Sequence, residues 1–326
     1  MSFKKELYEY AEMELNELTD LCENIDKHYY IGKKFNKEKN KWRTFTKPDE
    51  SLTKASKNIL KNLFLQYVNE IKETKSWFVN SPRENAKKHI SKNYNHIINL
   101  DITNYYPSTR IVDIAYALCV DLKIDVDSVF KLLKILVPTG DALSLGIPTS
   151  TAVALITHKK LFEEIDELAK KNNLFFTAYA DDLTFSSKKP IPTSLCKKVS
   201  KILAKHNLKI NPKKVRRFTR KSAWVNGIEV SKGKNMNCHW KYDKEIVEQL
   251  EKLQELGIHE LEVLLGKIAY VQSIVPKRYK VSKKQVAERL KYLKELEKEK
   301  NNEVQKVDMQ TKTNNMDWYI PKQIFR

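Results

Sequence analysis

The chain has 326 residues, 41% of them hydrophobic, with only 7 Gly and 10 Pro. That composition supports a sizeable core and two or three domains, and argues against a disordered or all-β chain. The 60 Lys and Arg against 41 Asp and Glu give a formal charge of +19, which favours a phosphate-rich partner; a Lys-rich solubilising surface is the alternative.

Residues 4–26 alternate Leu and acid at helical spacing. A strand is predicted over 42–47, with Arg43 near its start. Residues 52–72 place Leu60, Leu63, Phe64 and Tyr67 on one face of an amphipathic helix. An apolar strand over 96–102 ends in a lone acid, Asp101. Helices follow over 111–122 and 127–137. Gly146 and Pro148 mark a turn, and a long helix follows over 149–171. Leu174 to Ser187 reads as strand, tight turn, strand, with Asp181-Asp182 at the tip. Residues 194–206 are helical and 224–230 return as a strand. Helices between strands predict an α+β sheet with helices on one face. From residue 242 the chain is helical over 242–256, 258–275 and 281–299. The tail from Asn301 is polar and loose until Trp318-Tyr319-Ile320-Pro321, a patch suited to docking.

Two adjacent Asp in an aromatic, β-prone stretch oppose strand propensity and repel each other. A multivalent cation would relieve the repulsion, and hard oxygen ligands suit Mg²⁺ or Mn²⁺. The plainer alternative is an acidic turn in solvent. Asp101 alone would be a strand-end turn residue. Beside the hairpin it would complete a set of three carboxylates able to hold two metal ions on a nucleoside triphosphate and a primer hydroxyl.

Tyr179-Ala180-Asp181-Asp182 resembles the YADD box of bacterial reverse transcriptases. Asp101-Ile102-Thr103-Asn104-Tyr105-Tyr106-Pro107 is similar to their first catalytic box. Leu143-Ser144-Leu145-Gly146-Ile147-Pro148-Thr149-Ser150 resembles LPQGxPTSP, and Asn211-Pro212-Lys213-Lys214 resembles N-x-x-K. Asn85-Ala86-Lys87-Lys88-His89 matches the NAxxH signature of retron enzymes, and Val225-Asn226-Gly227 is close to their VTG. Leu145 replaces the family Gln, which contacts the incoming nucleotide, and Thr151 replaces a Pro.

The resemblance implies a right-hand polymerase fold with fingers, a ferredoxin-like palm and a helical thumb. Fingers would span 1–95, palm 96–235, thumb 236–300 and a polar tail 301–326. It implies metal ligation by Asp101, Asp181 and Asp182, with Asp182 the least essential as a direct ligand, and two Mg²⁺, or Mn²⁺ in their place. Tyr106 falls at the steric gate against a 2′-hydroxyl; a core Tyr is the alternative. Lys214 would serve the leaving pyrophosphate and Arg43 the triphosphate, each alternatively a surface cation. Gly146 would let nucleotide approach the backbone, and Asn85 and His89 would contact RNA. Implied partners are dNTPs, a cognate structured non-coding RNA, its RNA-linked single-stranded DNA and a separately encoded effector in anti-phage defence, since residues beyond 300 leave no room for one. Other readings are a defence reverse transcriptase outside the retrons, a group II intron-like enzyme, or an idle RNA-binding module.

Four clusters concentrate the basic charge: Lys33-Lys34, Lys37 to Arg43, Lys213 to Arg217, and Lys277-Arg278-Tyr279-Lys280. Several have an aromatic in or beside them, as suits stacking on nucleic acid; Trp42, Tyr279 and Phe218 are alternatively ordinary core edges. Cys22, Cys119, Cys196 and Cys238 show no CxxC spacing, which points to a reducing cytoplasm rather than a zinc or disulfide framework. The N-terminus turns charged at once, so no secretory or membrane segment is expected.

Overall fold

A computed structural model describes residues 6–36, 40–91, 94–219, 223–230 and 236–316. Lys37, Glu38 and Lys39 of one basic cluster and the patch Trp318-Tyr319-Ile320-Pro321 lie outside them. Two compact units form. One holds the described residues up to Asn226, with Val230; the other holds Gly227–Glu229 and those from Met236.

The first unit begins with α1 (Leu7–Ala11) and α2 (Leu15–Glu23), where one helix was expected. Glu12 ends α1 with φ +52°, a conformation no helix continues through. Strands β1 (Tyr29–Asn36) and β2 (Lys41–Pro48) pair antiparallel. Then α3 (Glu50–Ile59) and α4 (Leu65–Thr74) are joined by a π-helical turn, Leu60–Phe64. Asp49 caps α3 by accepting from the Leu52 amide at 2.8 Å. The segment 82–91, for which no element was predicted, is helix α5 (Pro82–Ser91).

The central sheet has the order β4-β5-β3-β6. Its strands are β3 (His96–Asp101), β4 (Phe175–Tyr179), β5 (Asp182–Ser187) and β6 (Arg216–Thr219). Between β3 and β4 come α6 (Tyr105–Ser108), α7 (Ile111–Tyr116), α8 (Val126–Leu136), α9 (Ser150–Thr157) and α10 (Lys159–Lys171). The predicted helix over 149–171 is therefore two, broken at His158. That ring is buried, where it bonds Thr109 Oγ1 at 2.9 Å. Helix α11 (Ser194–Lys205) and strand β7 (Trp224–Val225) complete the unit.

Register and the two-residue period of a strand give the sheet two unlike faces. One carries Ile98 and Leu100, Phe176 and Ala178, and Leu183 and Phe185. Phe176 and Phe185 stack there with ring centroids 4.8 Å apart. Burying each ring contributes about 1.5–3 kcal/mol. The opposite face is polar for much of its length: Asn99 and Asp101, Thr177, then Asp182, Thr184 and Ser186. Helix α5 covers part of it, with His89 edge-on to Phe175 at 5.1 Å.

In the second unit β8 (Ile228–Glu229) pairs antiparallel with β9 (Asn237–Cys238). The strand expected over 224–230 is instead interrupted at Asn226 and Gly227, both with positive φ, the conformation that Asn-Gly favours. Helices α12 (Trp240–Glu251), α13 (Ile258–Ile274) and α14 (Lys280–Met316) follow. On α13, Leu261, Leu264, Ile268 and Val271 are all fully buried, a stripe at helical spacing. Residues 301–316 continue α14, so the tail is not loose there. Among the described residues no helix is long and apolar enough to cross a membrane.

Candidate active site

The three carboxylates converge at one end of the central sheet. Asp101 is the last residue of β3 and sits in register with Asp182, the first of β5. Asp181 lies in the turn between β4 and β5, and its carbonyl accepts from the Ile102 amide at 2.9 Å. The turn is thereby tied to the strand that carries Asp101. Ala180 beside it has φ +50°, which a residue with a Cβ adopts only when its surroundings force it.

Charge accumulates here. Burial, reinforced by the charges of Asp181 and Asp101, pushes Asp182 up to about 6, against the Asn226 hydrogen bond and the Lys214 charge. Lys214 pairs through its ammonium with Asp101 Oδ1. Asn211 Nδ2 donates to the other oxygen at 3.3 Å, and the Asn211 amide donates to the Asp101 carbonyl at 2.7 Å. One short turn, Pro212–Lys214, supplies this grip, with the Asn211 side chain accepting from the Lys213 amide. On the other side, Asn226 Nδ2 donates to Asp182 Oδ2 at 2.6 Å.

Among the described residues no three His, Cys, Asp or Glu side chains stand ready as a metal-binding group. The donor set nevertheless fits a hard divalent cation. It is all oxygen, it gathers carboxylates from two paired strands and the adjoining turn, and a Lys ammonium already answers part of their charge.

Tyr106 follows on α6. Its hydroxyl lies 3.0 Å from Thr151 Oγ1. Burial and the nearby Asp181 charge push its phenol up, so the ring stands half-buried and protonated at the carboxylate end. Arg43 is exposed on β2, in register with Lys34.

Three expectations are corrected. Gly146 has φ +109°, but a Cβ there would collide with the Thr46 carbonyl oxygen. The close approach it permits is to strand β2, where the Thr46 amide donates to Leu145 at 2.7 Å, not to a nucleotide. Gly146→Ala should lower stability by roughly 1–3 kcal/mol through backbone strain alone, read as a shifted urea midpoint; an unchanged midpoint would refute this placement. Asn85 and His89 are 0% and 2% exposed, with their polar atoms spent on the sheet. As placed, they cannot touch RNA. In the cluster 277–280, Arg278 and Tyr279 both bind Asp243, at 2.8 and 2.9 Å. Both tie the chain to α12, a structural use that the stacking expectation did not include.

Two contacts escaped the sequence reading, Asn211 on Asp101 and Asn226 on Asp182. The available signal was the alternation Asp182, Thr184, Ser186, a polar row on a strand that needs partners wherever it is buried.

The family model for "Reverse transcriptase (RNA-dependent DNA polymerase)" matches residues 32–259. The Retron Ec73 reverse transcriptase of Escherichia coli is 24% identical over 233 residues, covering 66% of this chain and 74% of that protein. Among solved structures, apo telomerase from Candida tropicalis superposes with a TM-score of 0.50 at 10% identity, over 80% of this chain and 58% of that one. Telomerase from Candida albicans with a fragment of telomeric RNA gives 0.48 at 11%, over 81% and 57%. The chain thus spans less than two thirds of the telomerase chains it matches, and at such identity the likeness concerns the fold alone.

Proposed function

The chain belongs to the reverse transcriptase family and is an RNA-directed DNA polymerase with a right-hand polymerase fold, and on that premise we propose that it is a retron-type enzyme that copies a cognate structured RNA into RNA-linked single-stranded DNA. The observation that carries the chemistry is the register of Asp101 with Asp182, beside Asp181 in the adjoining turn. The NAxxH and VNG segments and the retron relative support the retron type.

In this reading Asp101, Asp181 and Asp182 hold two Mg²⁺, with Mn²⁺ able to substitute. When bound, such ions lower the pKa of an attacking hydroxyl and neutralise the leaving pyrophosphate. Lys214, which pairs with Asp101, donates a proton to the departing pyrophosphate or stabilises its charge. Arg43 extends from β2 as a triphosphate clamp. Fingers occupy 1–95, palm 96–235, thumb 236–300 and a polar tail 301–326. A cytoplasmic setting, dNTPs, a separately encoded effector and anti-phage defence complete the proposal on the strength of the retron likeness.

The test is to express the protein with its upstream transcript and examine the DNA made. DNA that stays joined to RNA after proteinase and heat, and shifts on RNase treatment, is the expected product. Free DNA, or DNA on a protein side chain, would assign the chain to a reverse transcriptase outside the retrons.

Tyr106 supplies sugar selection: its ring would lie under the ribose and exclude a 2′-hydroxyl. Tyr106→Ala should raise rNTP use relative to dNTP by roughly 10–100-fold, the scale on which one small group is discriminated in a pocket. Competition between the two nucleotides in primer extension gives the ratio, and an unchanged ratio would leave Tyr106 a packing residue.

A further inference from the structure

A chain of buried hydrogen bonds runs from α5 to the carboxylates. His89 Nε2 lies 2.8 Å from Thr177 Oγ1, and Thr177 Oγ1 donates to Asn85 Oδ1 at 2.5 Å. Asn85 Nδ2 donates to Asn226 Oδ1 at 2.5 Å, and Asn226 Nδ2 donates to Asp182 Oδ2 at 2.6 Å. Thr177, Thr184 and Ser186 line the same face, all 0–1% exposed.

The direction of this chain is forced from its end. An ionised carboxylate only accepts. Asn226 must therefore turn its NH₂ to Asp182 and its oxygen to Asn85. Asn85 must then turn its NH₂ to Asn226 and its oxygen to Thr177. The Thr177 hydroxyl, donating to Asn85, accepts from His89 Nε2–H. That leaves His89 Nδ1 to accept from Ser186 Oγ, 2.7 Å away. Burial keeps the imidazole neutral, its pKa held down to about 3, as this tautomer requires. Each bond of the chain then joins one donor to one acceptor, Asn85 Nδ2 also reaching Thr184 Oγ1 at 3.4 Å, and flipping either amide would set like groups against each other. Asn226 is itself fixed: its φ of +47° suits Asn, and Asn99 Nδ2 ties the adjacent Trp224 carbonyl to β3 at 2.6 Å.

We propose that Asn226 is a positioning residue for the polymerase site: held by Asn85 and the α5 chain, its amide fixes the orientation in which Asp182 meets a divalent cation. The proposal rests on the polymerase reading and gives the NAxxH and VNG segments one shared role, inside the protein. A carboxylate free to turn must lose that freedom when a cation binds. One already held by a directed amide does not, and losing such an outer partner typically costs 10–100-fold in metal affinity or activity.

The test uses full-length protein with Mn²⁺ as the probe. Asn226→Gly removes the amide at a φ that Gly adopts freely, and Asn226→Ser keeps a shorter donor. Mn²⁺ binding is read by EPR of the free ion, turnover by primer extension on a generic RNA template, and folding by circular dichroism. The proposal expects Asn226→Gly to stay folded, to bind Mn²⁺ about 10–100-fold more weakly and to lose turnover on the same scale, with Asn226→Ser between it and the wild type. Wild-type Mn²⁺ affinity and turnover in Asn226→Gly would overturn the proposal alone. Unfolding of both variants would also overturn it, by showing the amide to be structural. A wild-type chain that neither binds Mn²⁺ nor extends a primer would instead bring down the polymerase reading.

Discussion

Asp181→Asn is expected to abolish DNA synthesis while leaving the fold and RNA binding in place. The substitution keeps the side chain's shape and removes its charge. The tie of the turn to β3 through the Asp181 backbone carbonyl is untouched by the substitution. Stability should hold or rise slightly, since Asp181 is one of the charges that push Asp182 up to about 6; with that repulsion gone, Asp182 moves down towards its ordinary range. RNA binding is expected to draw on many of the 60 Lys and Arg, and one lost carboxylate does not weaken phosphate contacts. Synthesis should fall by at least about a thousandfold, beyond the ~10–100-fold typical of losing only an outer partner of a metal ligand. Primer extension, gel shift and thermal unfolding on one preparation decide the matter. Synthesis within tenfold of wild type would remove Asp181 from the chemistry. Lost RNA binding would show that the carboxylate organises the protein rather than a cation.

The parts legible in the sequence were those where local pattern and tertiary need coincide. Asp101 and Asp181-Asp182 stood out because acids interrupt apolar strands, a local conflict that only the assembled sheet resolves. The amphipathic helices at 50–74 and 126–136 followed from spacing. Where reading failed, the deciding contact was distant in the chain. The helix expected over 149–171 breaks at His158, whose buried ring bonds Thr109, 49 residues away. Gly146 looked like a nucleotide-facing glycine, yet the atom it makes room for is the Thr46 carbonyl. Strand β1 was missed because Tyr29–Asn36 is largely exposed and lacks a buried period. Asn85 and His89 were read as RNA contacts because the segment that holds them resembles the retron NAxxH signature. Only the register of β4 with β5, which brings Thr177, Thr184 and Ser186 onto one buried face, shows why that face needs polar partners.

That correction changes what substitution of the NAxxH segment should do. If His89 read RNA, His89→Ala would impair the cognate template alone and leave stability unchanged. Buried as it is, the ring instead satisfies Thr177 and Ser186 and packs on Phe175. His89→Ala should therefore cost roughly 2–4 kcal/mol, given about 1–3 kcal/mol for each buried polar group left unpaired. Synthesis on cognate and generic templates should fall together, because the damage passes along the Asn85–Asn226–Asp182 chain rather than through the RNA. The pH dependence gives an independent sign. His89 is held neutral, its pKa about 3 against an ordinary 6.5, so between those values the unfolded chain takes up a proton that the folded one refuses. Its contribution is whole above pH 6.5 and drains away as pH falls towards 3, by about 1.4 kcal/mol per pH unit where the difference is a full proton. His158, held down to about 4, acts in the same direction. Acid should thus destabilise His89→Ala less steeply than the wild type, without flattening the curve. Urea unfolding at pH 7, 5.5 and 4.5, alongside extension on both templates, reads every part of this. A cognate-only defect with wild-type stability and an unaltered acid slope would return His89 to the RNA surface.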